Sequence, residues 1–289
     1  MADMTSATSV ARSASIGGRG SGVLGQLLGR IGMGIWLGIS YGYMLFAAVF
    51  VIYISFLSDP LQIPSDFTLR WYQEAFGWDS FLLSLTVSVI IGLIVTIVAC
   101  VIGTLGALAL HRYVFRGRPA LSSLFMAPLA LPQLILAIGI VILFTRIATT
   151  FGFQLTATLL GLVLSHVVVA TPWVIRTVGA VLATMEPHLE EAAQSLGASP
   201  VRAFFLVTLP ILYRGMVGGA IFAFISSFGN LDLSLMIYPP SLQPLPVMLY
   251  DQVRATPDFR IAAVSVLTMI IIGGGITIAD RVAGLDKAL

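Results

Sequence analysis

Charge is scarce in this chain: 10% of its 289 residues are Asp, Glu, Lys or Arg, where a soluble globular chain carries roughly 25%. Lysine is scarcer still. Lys287 is the only one, and the two residues after it are neither Ser nor Thr, which excludes a phosphate-binding loop of the G-x-x-x-x-G-K-[ST] type. Any ATP that powers this protein is therefore hydrolysed on another chain. Cys100 stands alone, so the chain can build neither a disulfide framework nor a thiolate metal cluster. The histidines, His111, His166 and His188, lie far apart with no H-E-x-x-H pairing, and no metal site is expected of them. Ser165 and His166 are adjacent but would point to different helix faces, so they form no nucleophile and base pair, and no enzyme activity is expected. His166 is expected to hydrogen-bond inside a helix bundle. A net charge of +2 without a basic stripe gives nucleic acid no footprint.

What the chain has in abundance is apolar sequence: 58% hydrophobic residues and a mean hydropathy of +1.00. Runs 31–58, 80–111, 119–145 and 147–175 carry no charge, and each exceeds the roughly 20 residues needed to cross hydrocarbon. The stretches 215–231 and 261–279 are shorter but strongly apolar. Because lipid leaves an unclosed backbone only the helix, the sequence predicts an all-α polytopic membrane protein with six transmembrane helices, near 33–56, 82–110, 121–145, 157–180, 212–236 and 261–280. Residues 1–30, rich in Ser, Gly and Ala, read as a disordered tail, and 31–289 as the transmembrane domain. With the N-terminus inside, eleven basic residues fall on the cytoplasmic side and four, Arg70, Arg146, Arg254 and Arg260, outside. That asymmetry satisfies the positive-inside rule and predicts both termini cytoplasmic.

Between the fourth and fifth spans the apolar pattern breaks, over 183–210. Pro187 suits a first helical turn, and Glu190 and Glu191 lie near that helix's positive end. Leu189, Ala192, Ala193 and Leu196 recur at helical spacing to form a narrow apolar face. Gly197 reads as the stop, and Ser199 with Pro200 as the cap and first turn of a new helix. The pattern describes a short rigid knob below the bilayer.

Glu191-Ala192-Ala193, three residues, Gly197, nine residues, then Val207-Thr208-Leu209-Pro210 closely resembles the E-A-A-x3-G-x9-I-x-L-P signature of binding-protein-dependent ABC importer permeases, with Val207 for Ile. The resemblance runs from about Phe67 to Ala279. It implies a type I importer permease fold and a coupling helix seated in a cleft of the ATPase. Glu190, Glu191, Ala192, Ala193 and Gly197 would form that coupling element, and Pro210 would mark re-entry to the membrane. The implied partners are an ABC ATPase dimer that binds the ATP and magnesium, a second and homologous permease forming a heterodimer, and an external solute-binding protein. The implied location is the bacterial inner membrane, and no cofactor is implied on this chain.

Phe67-Thr-Leu-Arg-Trp-Tyr, Arg112-Tyr-Val-Phe-Arg-Gly and Ala262-Ala263-Val264-Ser265 resemble the spermidine and putrescine branch, which implies a polyamine cargo. Asp232 is the candidate carboxylate along the solute path, with Asn230 and Ser227 beside it, since an acid at a span is costly unpaired; pairing with a neighbouring subunit's Arg, or exposure to outer water, is the alternative. That branch usually carries acidic residues just after the fifth span's Ser-Phe, whereas here Ser227-Phe228 is followed by Gly229-Asn230. An amino-acid-derived or other small solute is the alternative cargo. An ion-coupled secondary transporter is the alternative mechanism, and it would show inverted repeats.

Overall fold

Where a chain has no charge to place in water and no partner strand to pair with, its backbone closes on itself as helix. The computed structural model describes residues 19–283 apart from 60, 63–64, 187 and 256–257. In chain order the helices are α1 (Arg19–Ser55), α2 (Arg70–Phe76), α3 (Asp79–Arg112), α4 (Arg118–Ala130), α5 (Gln133–Phe151), α6 (Leu159–Thr184), α7 (Leu189–Ser195) and α8 (Pro200–Ala203). A π-helical turn (Phe204–Thr208) follows, then α9 (Leu209–Phe228), α10 (Leu231–Ile237), α11 (Leu245–Ala255) and α12 (Arg260–Ala283). Among the described residues, six segments are long and apolar enough to cross a membrane: Leu28–Ser55, Asp79–Arg112, Gln133–Phe151, Leu159–Thr184, Pro200–Phe228 and Arg260–Thr277. The six expected spans are therefore present.

The chain falls into two units, 1–54 and 55–289. The first contains nearly all of α1, which begins at Arg19, inside the segment expected as a tail. Residues 1–18, Pro187 and Lys287 lie outside the described residues.

In the second unit α6 is the central helix, with 61% of its spanning window buried against 33% for α3 and 22% for the Pro200–Phe228 segment that ends in α9. Lipid supplies no hydrophobic drive between helices, so close backbone approach through small residues must hold them. The sequence places those residues on both neighbours of α6. A Cβ on Gly103 of α3 would lie 2.6 Å from the Val174 Cβ. On Gly219 of α9 it would lie 2.9 Å from the Val174 Cα, and on Gly215 3.1 Å from the Val178 Cα. Gly215 and Gly219 form a G-x-x-x-G seam, so α3 and α9 grip α6 from two sides. Trp173 of α6 stacks on Phe222 of α9 at 5.2 Å, beside that seam.

Two expected spans are revised. The third, 121–145, is not one helix but α4 and α5, parted at Leu131 and Pro132. Pro132 has no N–H for the carbonyl of Pro128, and Leu131 turns extended (φ −88°, ψ 142°), as a residue before proline does. The fifth, 212–236, ends at Phe228. Gly229 closes it, and the Asn230 side chain accepts from the Leu233 N–H at 3.1 Å, capping a separate helix, α10. Asn230 and Asp232 therefore stand beyond the fifth span, with Asp232 in the first turn of α10.

At the end of the bundle where α3 begins, Arg260 lies 4.4 Å over the Trp78 ring and pairs with Asp258 at 2.6 Å. Burial opposes ionisation of Asp258, but hydrogen bonds from Arg260, the Arg260 charge and a bond from Gln252 outweigh it and hold the carboxyl below its ordinary value. A carboxyl lowered on folding stabilises the fold above its unfolded value, and the contribution is lost as pH falls through the folded value. The melting temperature of the wild type should thus exceed that of Asp258→Asn near neutrality. The gap should close as pH drops below about 3.9, the ordinary Asp value. A gap independent of pH would show that the Asp258 charge is not what matters.

Candidate functional site

The segment after α6 folds as its local chemistry directs. Gly197 is left-handed (φ +93°), its N–H bonds the Gln194 carbonyl at 2.9 Å, and the Ala198 N–H reaches back to the Ala193 carbonyl at 3.1 Å. These two bonds make a Schellman stop, which satisfies carbonyls that α7 would otherwise leave bare. Ser199 Oγ accepts from the Arg202 N–H at 3.3 Å and Pro200 opens α8. The stop and restart form a knob of two short helices, and α7 buries none of its residues fully. Leu196 is 91% exposed and Leu189 37%, so the apolar face of α7 is uncovered by this chain. Ala192 is exposed beside it and Ala193 half-buried.

Adjacent carboxylates point opposite ways. The Glu191 side chain is 74% exposed and meets the exposed His188 ring, at 3.0 Å. The Glu190 side chain is 20% exposed, and its Oε1 accepts from Arg112 Nη2 of α3 and from Thr208 Oγ1 of the π turn. Arg112 also lies over the Phe204 ring at 5.5 Å. In the π turn the Leu209 N–H bonds the Phe204 carbonyl. The residue added by such a turn rotates the following helix by about 100° relative to an uninterrupted one. Leu209-Pro210 then opens α9. Sequence spacing identified Glu190 but not Arg112, Phe204 or Thr208, because the partners of a carboxylate 78 positions from its arginine leave no local pattern.

The remaining candidates lie far along α9 from the knob. Ser227 is buried, with its hydroxyl 2.9 Å from His166 Nδ1, and the other ring nitrogen of His166 is 3.3 Å from Ser234 Oγ. The imidazole thus joins α6, α9 and α10, which is the bundle role expected of it. Ser227 and Asn230 already have intramolecular partners, while Asp232 is half-buried. The buried polar side chains among the described residues are hydroxyls, the Asn230 amide and the His166 imidazole, with no carboxylate. Beside the Leu131 and Pro132 break, a cavity of about 500 Å³ is lined by Ile102, Pro128, Leu131 and Leu136, with Thr171 the polar side chain among its lining residues. No three metal-ligating side chains converge among the described residues.

Residues 101–285 match the family described as binding-protein-dependent transport system inner membrane component. The chain is 28% identical to the putrescine transport system permease protein PotI of Escherichia coli K12, over 77% of this chain and 80% of that protein. It is 28% identical to the spermidine/putrescine transport system permease protein PotC of the same strain, over 90% and 97%. It is 30% identical to the putative 2-aminoethylphosphonate transport system permease protein PhnV of Salmonella paratyphi A, over 90% and 96%. Among solved structures, a bacterial ABC transporter that imports the acidic polysaccharide alginate superposes with a TM-score of 0.64, covering 88% of this chain and 98% of its counterpart. At 12% identity that likeness concerns the fold.

Proposed function

Because this chain belongs to the binding-protein-dependent transport system inner membrane component family, we propose that it is the permease of an ATP-driven importer for a small amine-bearing solute, a polyamine in the first place. The observation that carries the reading is the knob from α7 to the π turn: exposed, shaped by the Gly197 stop and the Ser199 cap, and tied by Glu190 to the end of α3 and the base of α9. An ATPase cleft would receive α7, with Glu191, Ala192, Ala193 and Gly197 at the contact. ATP binding would draw paired knobs together and turn the cavity outward to accept cargo from an external binding protein, and hydrolysis would reset it. In this reading both termini face the cytoplasm of a bacterial inner membrane, a homologous second permease completes the path, and ATP and magnesium stay on the ATPase.

PotI and PotC support a polyamine. The likeness to PhnV, with no buried carboxylate among the described residues, favours a second reading, a zwitterionic aminophosphonate-type solute that needs less negative charge on its path. Asp232 separates the two. A carboxylate at the start of α10 complements that helix's dipole whatever the cargo, but a polyamine, with its net positive charge, would miss the carboxylate more than a zwitterion would.

The complete importer in liposomes, with saturating loaded binding protein, should take up putrescine or spermidine in an ATP-dependent manner. Asp232→Asn should slow that uptake roughly tenfold, the scale of one charge-assisted hydrogen bond. Unchanged polyamine uptake in Asp232→Asn removes Asp232 from the path. Uptake of 2-aminoethylphosphonate in place of polyamines establishes the second reading, and uptake that follows an ion gradient without ATP overturns both.

A further inference from the structure

A helix of seven residues is too short to hold itself in water, and α7 buries no residue fully. Its place on the bundle therefore depends on side-chain ties, and two of these converge on one oxygen. Glu190 Oε1 receives a charged donor from Arg112, the last residue of α3, and a hydroxyl from Thr208, the last residue before α9. Thr208 is fully buried, so its hydroxyl has no water to turn to. Arg112 is itself held against Phe204, at the other end of the same π turn. The two helices reached through Glu190 are the two that grip α6 through Gly103, Gly215 and Gly219.

We propose that Glu190 is the positioning residue that makes α7, the end of α3 and the base of α9 move as one body, so that force received at the knob reaches both helices at once. The neighbouring Glu191, turned outward, is left free to meet the ATPase. This rests on the importer reading given above, but it assigns to Glu190 a task distinct from contact with the motor: α7 can be held by the ATPase and still fail to drive the bundle. Loss of the tie should then leave ATPase binding intact and waste its hydrolysis.

The test uses the complete transporter in nanodiscs. Spin labels are placed at Val114→Cys and Gln194→Cys, both exposed positions, in a Cys100→Ser background. With Glu190 present, the distance between labels should be narrow and the same without nucleotide and with ATP. In Glu190→Ala it should broaden and shift with nucleotide, and solute moved per ATP should fall roughly tenfold while the ATPase still co-purifies. Exchanging the charges, Glu190→Arg with Arg112→Glu, should narrow the distance and restore most of the coupling. The proposal is overturned if the label distance changes with ATP while Glu190 is present. It is overturned equally if Glu190→Ala leaves distance and coupling unchanged, or loses the ATPase while the distance stays narrow, which would make Glu190 a motor contact. Should no ATPase bind the unaltered chain, the importer reading fails. The label distance in the permease alone still reports whether Glu190 holds α7 to the end of α3.

Discussion

Gly197→Arg should reach the membrane at normal levels and lose nearly all solute uptake. Gly197 has φ +93° with nothing within 4 Å of where a Cβ would stand. Substitution there meets no clash, and its cost is conformational. An L-residue in the left-handed region costs roughly 1–2 kcal/mol, enough to loosen the Schellman stop and swing α7 away from α8. Arginine adds a long cation beside the small Ala192 and Ala193, on the surface proposed to meet the ATPase. If that surface is an interface centre, the penalty should reach about 2 kcal/mol, the scale of a hot spot, or roughly thirtyfold in ATPase affinity. Gly197→Asn, which tolerates the left-handed region, should retain most uptake, and Gly197→Ala should fall between. Pull-down of the ATPase, its stimulated hydrolysis and solute uptake check the series. Normal uptake and stimulation in Gly197→Arg would refute the coupling role of the knob.

Gly219→Val is expected to fail earlier, at folding. A Cβ on Gly219 would stand 2.6 Å from Thr177 Oγ1 and 2.9 Å from the Val174 Cα. The second is backbone of the central helix and cannot step aside, so α9 must part from α6 along the whole seam. Overpacking of this kind costs about 3 kcal/mol or more, and in lipid no hydrophobic drive compensates for lost helix contact. Its neighbour Gly218 provides the control: a Cβ there meets only the Thr177 Cγ2, at 4.0 Å. Gly218→Val should therefore purify and melt close to the wild type, whereas Gly219→Val should be recovered in low yield and digested readily by protease. Similar behaviour of the two would mean that the α6 and α9 seam does not hold the bundle.

Much of this protein was legible before its fold, and the reason is range. Charge-free runs report the solvent of a segment through its own residues, so the number of spans followed from composition and length, as did their places apart from the third and the fifth. The knob was legible too: a glycine stop, a serine cap and a proline first turn each act within four residues, and Gly197, Ser199 and Pro200 stand in the structure as their spacing implied. Pro132 stands inside the charge-free run 119–145, where a proline can either kink a helix or break it, and the two look alike until the neighbours of α4 and α5 are known. Asn230 read as a polar member of a span and proved to be the cap that ends it, because side-chain capping competes with helix continuation only where Gly229 has already loosened the turn.

What the tertiary structure alone decided is how the knob is joined to the membrane helices. Glu190 and Glu191 are equal in sequence, both acids in the first turn of one helix. Only the approach of Arg112 from α3 and of Thr208 from the π turn makes the first an inward tie and leaves the second exposed. The hydroxyl of Ser227 is likewise committed to His166 by the packing of α9 on α6. The identity of a residue sets which bonds it can make, and local spacing sets the helix it joins. Which bond it makes across the bundle depends on glycine seams and helix rotations set by many residues together, and no segment of the chain carries that information by itself.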